Sequence, residues 1–228
     1  MFFLIFPLTR NFFDDINKAI KKHRKEDFIM VDKTIPYKNI IMVADNLTEQ
    51  KPTLPEGFYL DTYREGDEYD WAEMEVYAGD FSTVERGVGY FKSAYLLFLD
   101  SPERLIAVRN PEGKAVAYCT AWRSFSKDKV CNTLQFLVTA EGYEGMGLAR
   151  AAAAEAINRY IKLGGGRVYL HTQPWSYKAI WLYHQIGFRI SRSAELQTFG
   201  NDCDEALEIL KTLIPEDKMK QILDGVVD

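Results

Sequence analysis

Residues 139–151 read TAEGYEGMGLARA, and residues 176–188 read SYKAIWLYHQIGF. The first stretch follows an apolar strand pattern, Cys131–Val138, and opens an alanine-rich helix expected from Gly147 to Leu163. Glycines at 145 and 147 let a backbone approach closely. Where such a turn opens a helix, unpaired amides and the positive end of the helix dipole converge, which makes an anion cradle. The same turn also serves a plain strand–helix junction in which glycine only eases packing. Two other nucleotide motifs are excluded here. A Walker loop needs Lys-Ser/Thr after its second glycine, where Leu148-Ala149 stands, and a dinucleotide fingerprint needs a third glycine, where Arg150 stands.

Working outward, Arg167–Thr172 reads as a buried strand, Ser176–Gln185 as a short helix and Gly187–Arg192 as another strand. Upstream, Phe58–Tyr63 alternates like a strand, Trp71, Met74 and Ala78 mark a helix, and Tyr90–Leu99 a second. Arg104–Arg109, Lys114–Phe125 and Cys131–Val138 are strands, the first two joined by the turn at 110–113. Asp204–Leu213 and Glu216–Leu223 form amphipathic tail helices. Helices, then an antiparallel run, then strand–helix–strand–helix–strand describe an α/β sheet with a crossover. Ahead of it, Asn11–Phe28 suits a helix and Phe28–Val31 and Asn39–Val43 short strands. The connector TEQKPTLPEG places a boundary between an N-terminal arm, 1–50, and a main domain, 51–228.

With both stretches in place, the chain resembles the GNAT N-acetyltransferase superfamily. The helix-start motif, (Arg/Gln)-x-x-Gly-x-(Gly/Ala), lies on Glu144 through Ala149. The later motif, Asn-x-x-Ala-Ile-x-Leu-Tyr-x-x-x-Gly-Phe, lies on Ser176 through Phe188 and departs only at its first residue. Glu144 puts a carboxylate where the family has Arg or Gln, and Ser176 replaces the Asn. The resemblance implies a mostly antiparallel sheet splayed between the strands ending near Val138 and Thr172. Acetyl-CoA would be the cosubstrate, with no metal. Its pantetheine would pair with Leu137, Val138 and Thr139, as an added strand pairs with a sheet edge. The diphosphate would rest on Glu144, Gly145, Met146, Gly147, Leu148 and Ala149, with Ser176 beside it. Tyr183 matches the family's usual proton donor to the departing thiolate, while its helical spacing from Ala179 and Ile180 also suits a plain core tyrosine.

The acceptor implied is a small-molecule primary amine. A domain that binds acyl-CoA without turnover and a protein N-acetyltransferase are the alternatives. No general base is legible. His171, alone on a buried strand, reads as a core histidine, and Cys119 and Cys131 as inert thiols without a His partner. The aromatics and acids of 71–86 suit either a cationic amine or an ordinary amphipathic helix.

Composition limits the other classes. The 228 residues carry 28 Lys+Arg against 33 Asp+Glu with no basic block, which argues against a duplex nucleic-acid partner. Three cysteines without zinc spacing suit a reducing cytoplasm. The opening MFFLIFPLTR lacks a preceding basic residue and a cleavage site, and no apolar run reaches membrane-spanning length. A cytoplasmic protein without a membrane partner is expected. The arm would cover one side of the domain or support a homodimer.

Overall fold

The structure, a computed structural model, describes residue 32 and residues 34–98, 101–126 and 129–228. The expected helix at 11–28 and strand at 28–31 lie outside them. Among the described residues seven strands are present: β1 Ile40–Ala44, β2 Tyr59–Thr62, β3 Leu105–Arg109, β4 Ala115–Ser126, β5 Lys129–Thr139, β6 Val168–Thr172 and β7 Arg189–Ile190. The helices are α1 Asp67–Ala78, α2 Val84–Tyr90, α3 Leu148–Lys162, α4 Tyr177–Gln185, α5 Cys203–Leu210 and α6 Glu216–Asp224. The second helix, expected over 90–99, lies earlier: α2 is Val84–Tyr90, and the expected range holds a π-helical turn, Phe91–Tyr95, and a 3-10 turn, Leu96–Phe98.

The strands form one sheet in the order β2-β3-β4-β5-β6-β1-β7, antiparallel throughout except for the β5–β6 pair. This corrects the boundary drawn near residue 50. β1, from the expected arm, lies inside the sheet, its Ile40–Ala44 paired with Thr172–Val168 and its Met42–Val43 with Ile190–Arg189. All five of its residues are buried. A run apolar on both faces suits an interior strand and no peripheral one, whereas the Pro-rich connector separates β1 from the rest only along the chain.

Among the described residues two large cores flank the sheet, with a smaller one around Ile41 and Val43. On one face Ile106, Val108, Cys119, Ala121 and Leu134 pack under α3, whose alanines at 151–154 and 156 allow close approach. On the other, Leu105, Ala107, Tyr118 and Val138 meet Trp71, Met74, Phe91 and Tyr95 from α1 and the π turn. Burial of this kind contributes about 25 cal/mol per Å² of apolar surface. The start of α1 is tied down by Arg109, buried in β3, which donates to Asp67 at 3.0 and 2.7 Å and to Asp61.

Candidate active site

The site starts from a flaw in pairing. β4 and β5 match Tyr118 with Val138 but Thr120 with Gln135, so β5 carries one residue more than its partner. That bulge falls at Phe136, which sits at a φ of +52°. On its other side β5 pairs with β6 only at Asn132–Val168 and Thr133–Tyr169. Beyond Thr133 the strands part: Leu134–Thr139 has β4 on one side and no strand on the other, and β6 from Leu170 onward is left likewise. The wedge expected between the strands ending at Val138 and Thr172 is therefore open. Leu137 is half-buried, and Val138 and Thr139 are buried beside it.

At the end of β5 the chain turns through the glycine corner. Gly142, Gly145 and Gly147 have φ of +81°, +77° and +82°, and a Cβ built on any of the three would meet no atom within 4 Å. The corner is not plugged. Gly147 caps α3 with no side-chain hydrogen bond and no acid follows in the first turn, so the helix's leading amides and its positive end are uncovered. Among the described residues no backbone acceptor takes up the amides of Gly145, Gly147, Leu148 or Ala149.

The corner is held from three sides. Tyr143 is edge-on to Phe58 (6.2 Å) and its hydroxyl accepts from Asn110 Nδ2 at 3.2 Å. Arg150 donates to Gln185 Oε1 at 2.6 Å, joining α3 to α4 across the wedge. On the side of α1, the Tyr77 hydroxyl hydrogen-bonds the Glu144 carboxylate, and this pushes the phenol up to about 12. Burial works to raise the Glu144 carboxyl, but hydrogen bonds from Tyr77 and from the amides of Glu144 and Gly142 outweigh it and lower it. The Glu144 side chain is thus drawn toward Tyr77.

Ser176 precedes α4, its amide bonded to Gln173 O at 2.9 Å and its side chain capping nothing. Tyr183 lies on the buried face of α4, 9% exposed, edge-on to Phe188 at 6.0 Å. Its hydroxyl has no hydrogen-bond partner among the described residues, and burial, with a smaller contribution from Cys119, raises its pKa above the usual tyrosine value. The phenol is held protonated at neutral pH.

The remaining sequence candidates fall away. His171 stacks on Phe199 at 3.9 Å and shares a 2.9 Å hydrogen bond with Asn39, and burial lowers its pKa to about 4. It is a core residue. Cys119 and Cys131 have thiol pKa values raised by burial and no His beside them. Among the described residues no cluster of His, Cys, Asp or Glu is arranged to hold a metal, and no helix is long and apolar enough to cross a membrane. Sequence reading missed Phe136, because a bulge leaves no mark on a run of apolar residues. It also left Glu75 undistinguished among the acids of 71–86, where it is 1% exposed.

A splayed parallel pair beside an uncapped helix start defines a class of mixed α/β sheet, and a family comparison places the chain within it. The profile of the Acetyltransferase (GNAT) family matches residues 60–188, and the chain belongs to that family. A GCN5-related N-acetyltransferase from Sphaerobacter thermophilus superposes with a TM-score of 0.54 at 23% identity, covering 68% of this chain and 49% of that one. A GNAT-family acetyltransferase from Colwellia psychrerythraea gives 0.51 at 14% identity, covering 67% and 53%. An acetyltransferase structure from Salmonella typhimurium, solved with its cofactor acetyl-CoA, gives 0.47 at 16% identity, covering 58% and 79%. The chain thus spans about half the length of the first of these structures. No curated protein sequence matches it.

Proposed function

We propose that the chain is an acetyl-CoA-dependent N-acetyltransferase that acetylates the primary amine of a small molecule by direct transfer. The observation that carries this reading is the loss of β5–β6 pairing beyond Thr133, next to a glycine corner that no side chain fills. Main-chain groups left unpaired in a sheet are matched by an extended guest with amides of its own, as pantetheine has. The amides from Gly145 to Ala149 suit its diphosphate. Acetyl-CoA supplies the activated acetyl group when bound.

The chain's own residues account for the rest. A backbone N–H at the β5 bulge stabilises negative charge on the thioester oxygen, as a fixed dipole aimed at the developing charge. Tyr183, kept protonated by its burial, gives its proton to the departing sulfur and recovers one from the attacking nitrogen. The formal charge of −5 is no obstacle, since local dipoles set the field at the corner.

One observation favours a second reading, a domain that binds acyl-CoA without turnover: Glu144 holds a carboxylate beside the cradle. Free-thiol release on mixing protein, acetyl-CoA and a panel of amines separates the two. Release with any amine supports the transferase. Binding of acetyl-CoA without release from any amine supports the sensor, and no binding at all overturns both.

A further inference from the structure

Two polar atoms on α1 are buried without a partner, Trp71 Nε1 and Glu75 Oε1. Trp71 is wholly buried and Glu75 1% exposed. Four residues apart, they share one face of the helix, and that face looks toward the bulge: Trp71 meets the Phe136 ring edge-on at 5.2 Å. Buried polar groups are nearly always hydrogen-bonded. Trp71 Nε1 and Glu75 Oε1 thus offer a polar guest a donor and an acceptor one turn apart, with Asp80 against the Glu75 carboxyl.

The surroundings of Glu75 lead outward. Gly79 ends α1 in the left-handed conformation and folds the chain back, so that the amides of Gly79 and Asp80 both donate to the Glu75 carbonyl, Asp80 at 2.9 Å. That turn brings the Asp80 carboxylate, which is solvent-exposed, into hydrogen-bonding reach of the Glu75 carboxyl. Tyr90 of α2 is half-buried, 5.4 Å from Phe81 and 6.0 Å from Phe136. The titratable groups facing Glu75 are thus Asp80, Tyr90 and, from the π turn, Tyr95. None is a cation.

We propose that Glu75 is the proton acceptor for the incoming ammonium, and that Asp80 passes that proton to solvent. This rests on the acetyltransferase reading. An alkylammonium has no lone pair. It gives one proton to the Glu75 carboxylate, and the neutral amine then forms the C–N bond as the C–S bond breaks. A second nitrogen proton ends on the sulfur, and Glu75 returns its proton through Asp80 to water. One proton is released per turnover. Burial first, and the Asp80 charge second, hold the Glu75 carboxyl well above the ordinary range, which brings it nearer the pKa an effective acceptor needs.

The test measures acetylation of 2-phenylethylamine, butane-1,4-diamine and lysine from about pH 6 to about pH 9.5, below and near alkylammonium pKa values. Glu75→Gln is expected to lower kcat/KM for the amine about 100-fold near neutral pH with the KM for acetyl-CoA unchanged. The deficit shrinks as pH rises, because free amine needs no acceptor. Glu75→Asp restores part of the rate. Asp80→Asn, which removes the neighbouring charge, moves the acid limb of the kcat/KM profile to lower pH. A Glu75→Gln enzyme with the wild-type profile, or one depressed equally at every pH, overturns the proposal. Should Glu75→Gln fail to fold, Asp80→Asn at its exposed position decides, and an unmoved acid limb is fatal. A wild type that releases no thiol with any amine overturns the acetyltransferase reading too, whereas an active wild type with unaffected variants overturns only the role of Glu75.

Discussion

Phe136, at a φ of +52°, stands edge-on to Trp71 with ring centroids 5.2 Å apart and planes at 75°. The two facts belong together. A left-handed conformation costs an aromatic residue about 1–2 kcal/mol, and here the ring also meets Tyr95 at 4.9 Å and Tyr90 at 6.0 Å. Aromatic pairs contribute roughly 0.5–1.5 kcal/mol each beyond burial. The cluster therefore offsets the backbone strain that turns β5 away from β6. Phe136→Ala is expected to cost about 3 kcal/mol in urea unfolding and to weaken acetyl-CoA binding in calorimetry, since nothing then holds the bulge. An unchanged affinity would detach the ring cluster from the wedge.

Gly145 and Gly147 test the cradle more directly. Both have left-handed φ, and a Cβ at either meets nothing of this chain. Alanine at either position costs about 1 kcal/mol in backbone strain, which in a chain of this size lowers Tm by roughly 2–4 °C. It also puts a methyl group where the diphosphate would lie. The expected outcome of Gly147→Ala is a small loss in Tm and at least a tenfold rise in the Kd for coenzyme A, roughly 1.4 kcal/mol. Equal affinity in wild type and variant would show that the corner is only a packing turn.

Much of this was legible in the sequence because it rests on local chemistry. The two glycines before Leu148 and the Ala-Ile-x-Leu-Tyr run on α4 mark turn and helix by residue type alone. What was not legible is long-range pairing. Ile40–Ala44 sits 124 to 132 residues from its β6 partners Val168–Thr172 in the chain, and no local pattern says which strand a buried run will join. Burial of Glu75 is similar. Its neighbour Glu73 is exposed on the same helix, and only the tertiary placement of α2 and the π turn tells the two apart.

Tyr183 is expected to act late. With Tyr183→Phe the ring packing against Phe188 is kept and only the proton is lost. General acid catalysis is worth about 100-fold or more, so kcat should fall by that order with the KM for acetyl-CoA little changed and Tm within about 1–2 °C, as a single weak polar group would leave it. A variant as fast as wild type would return Tyr183 to the core.

Glu144 sets a brake on the cradle. The Tyr77 hydroxyl and nearby amides hold its carboxylate, and a charge so close to a bound diphosphate costs on the order of 1 kcal/mol in a solvated setting. Glu144→Gln should tighten coenzyme A binding about fivefold at low salt, and the gain should fade as salt screens the repulsion. Tyr77→Phe should act oppositely by releasing the carboxylate. Titrations of both variants at two salt concentrations check the pair. Weaker binding by Glu144→Gln would mean that the carboxylate organises the loop.

The buried carboxyl of Glu75 also ties stability to pH. Burial first and the Asp80 charge second raise its pKa in the folded protein above the unfolded value, which lies near 4.3. For a group raised on folding, the stabilisation is fully present below the unfolded pKa and is lost as pH climbs through the folded one, because the unfolded chain gives up the proton first. Glutamine keeps the shape and never ionises. Glu75→Gln should therefore show a Tm advantage over wild type that is smallest near about pH 4 and grows steadily with alkalinity. Thermal scans of the two proteins across that range settle the sign. A gap that narrows with rising pH would mean that Glu75 is ionised in the folded state and paired with a cation.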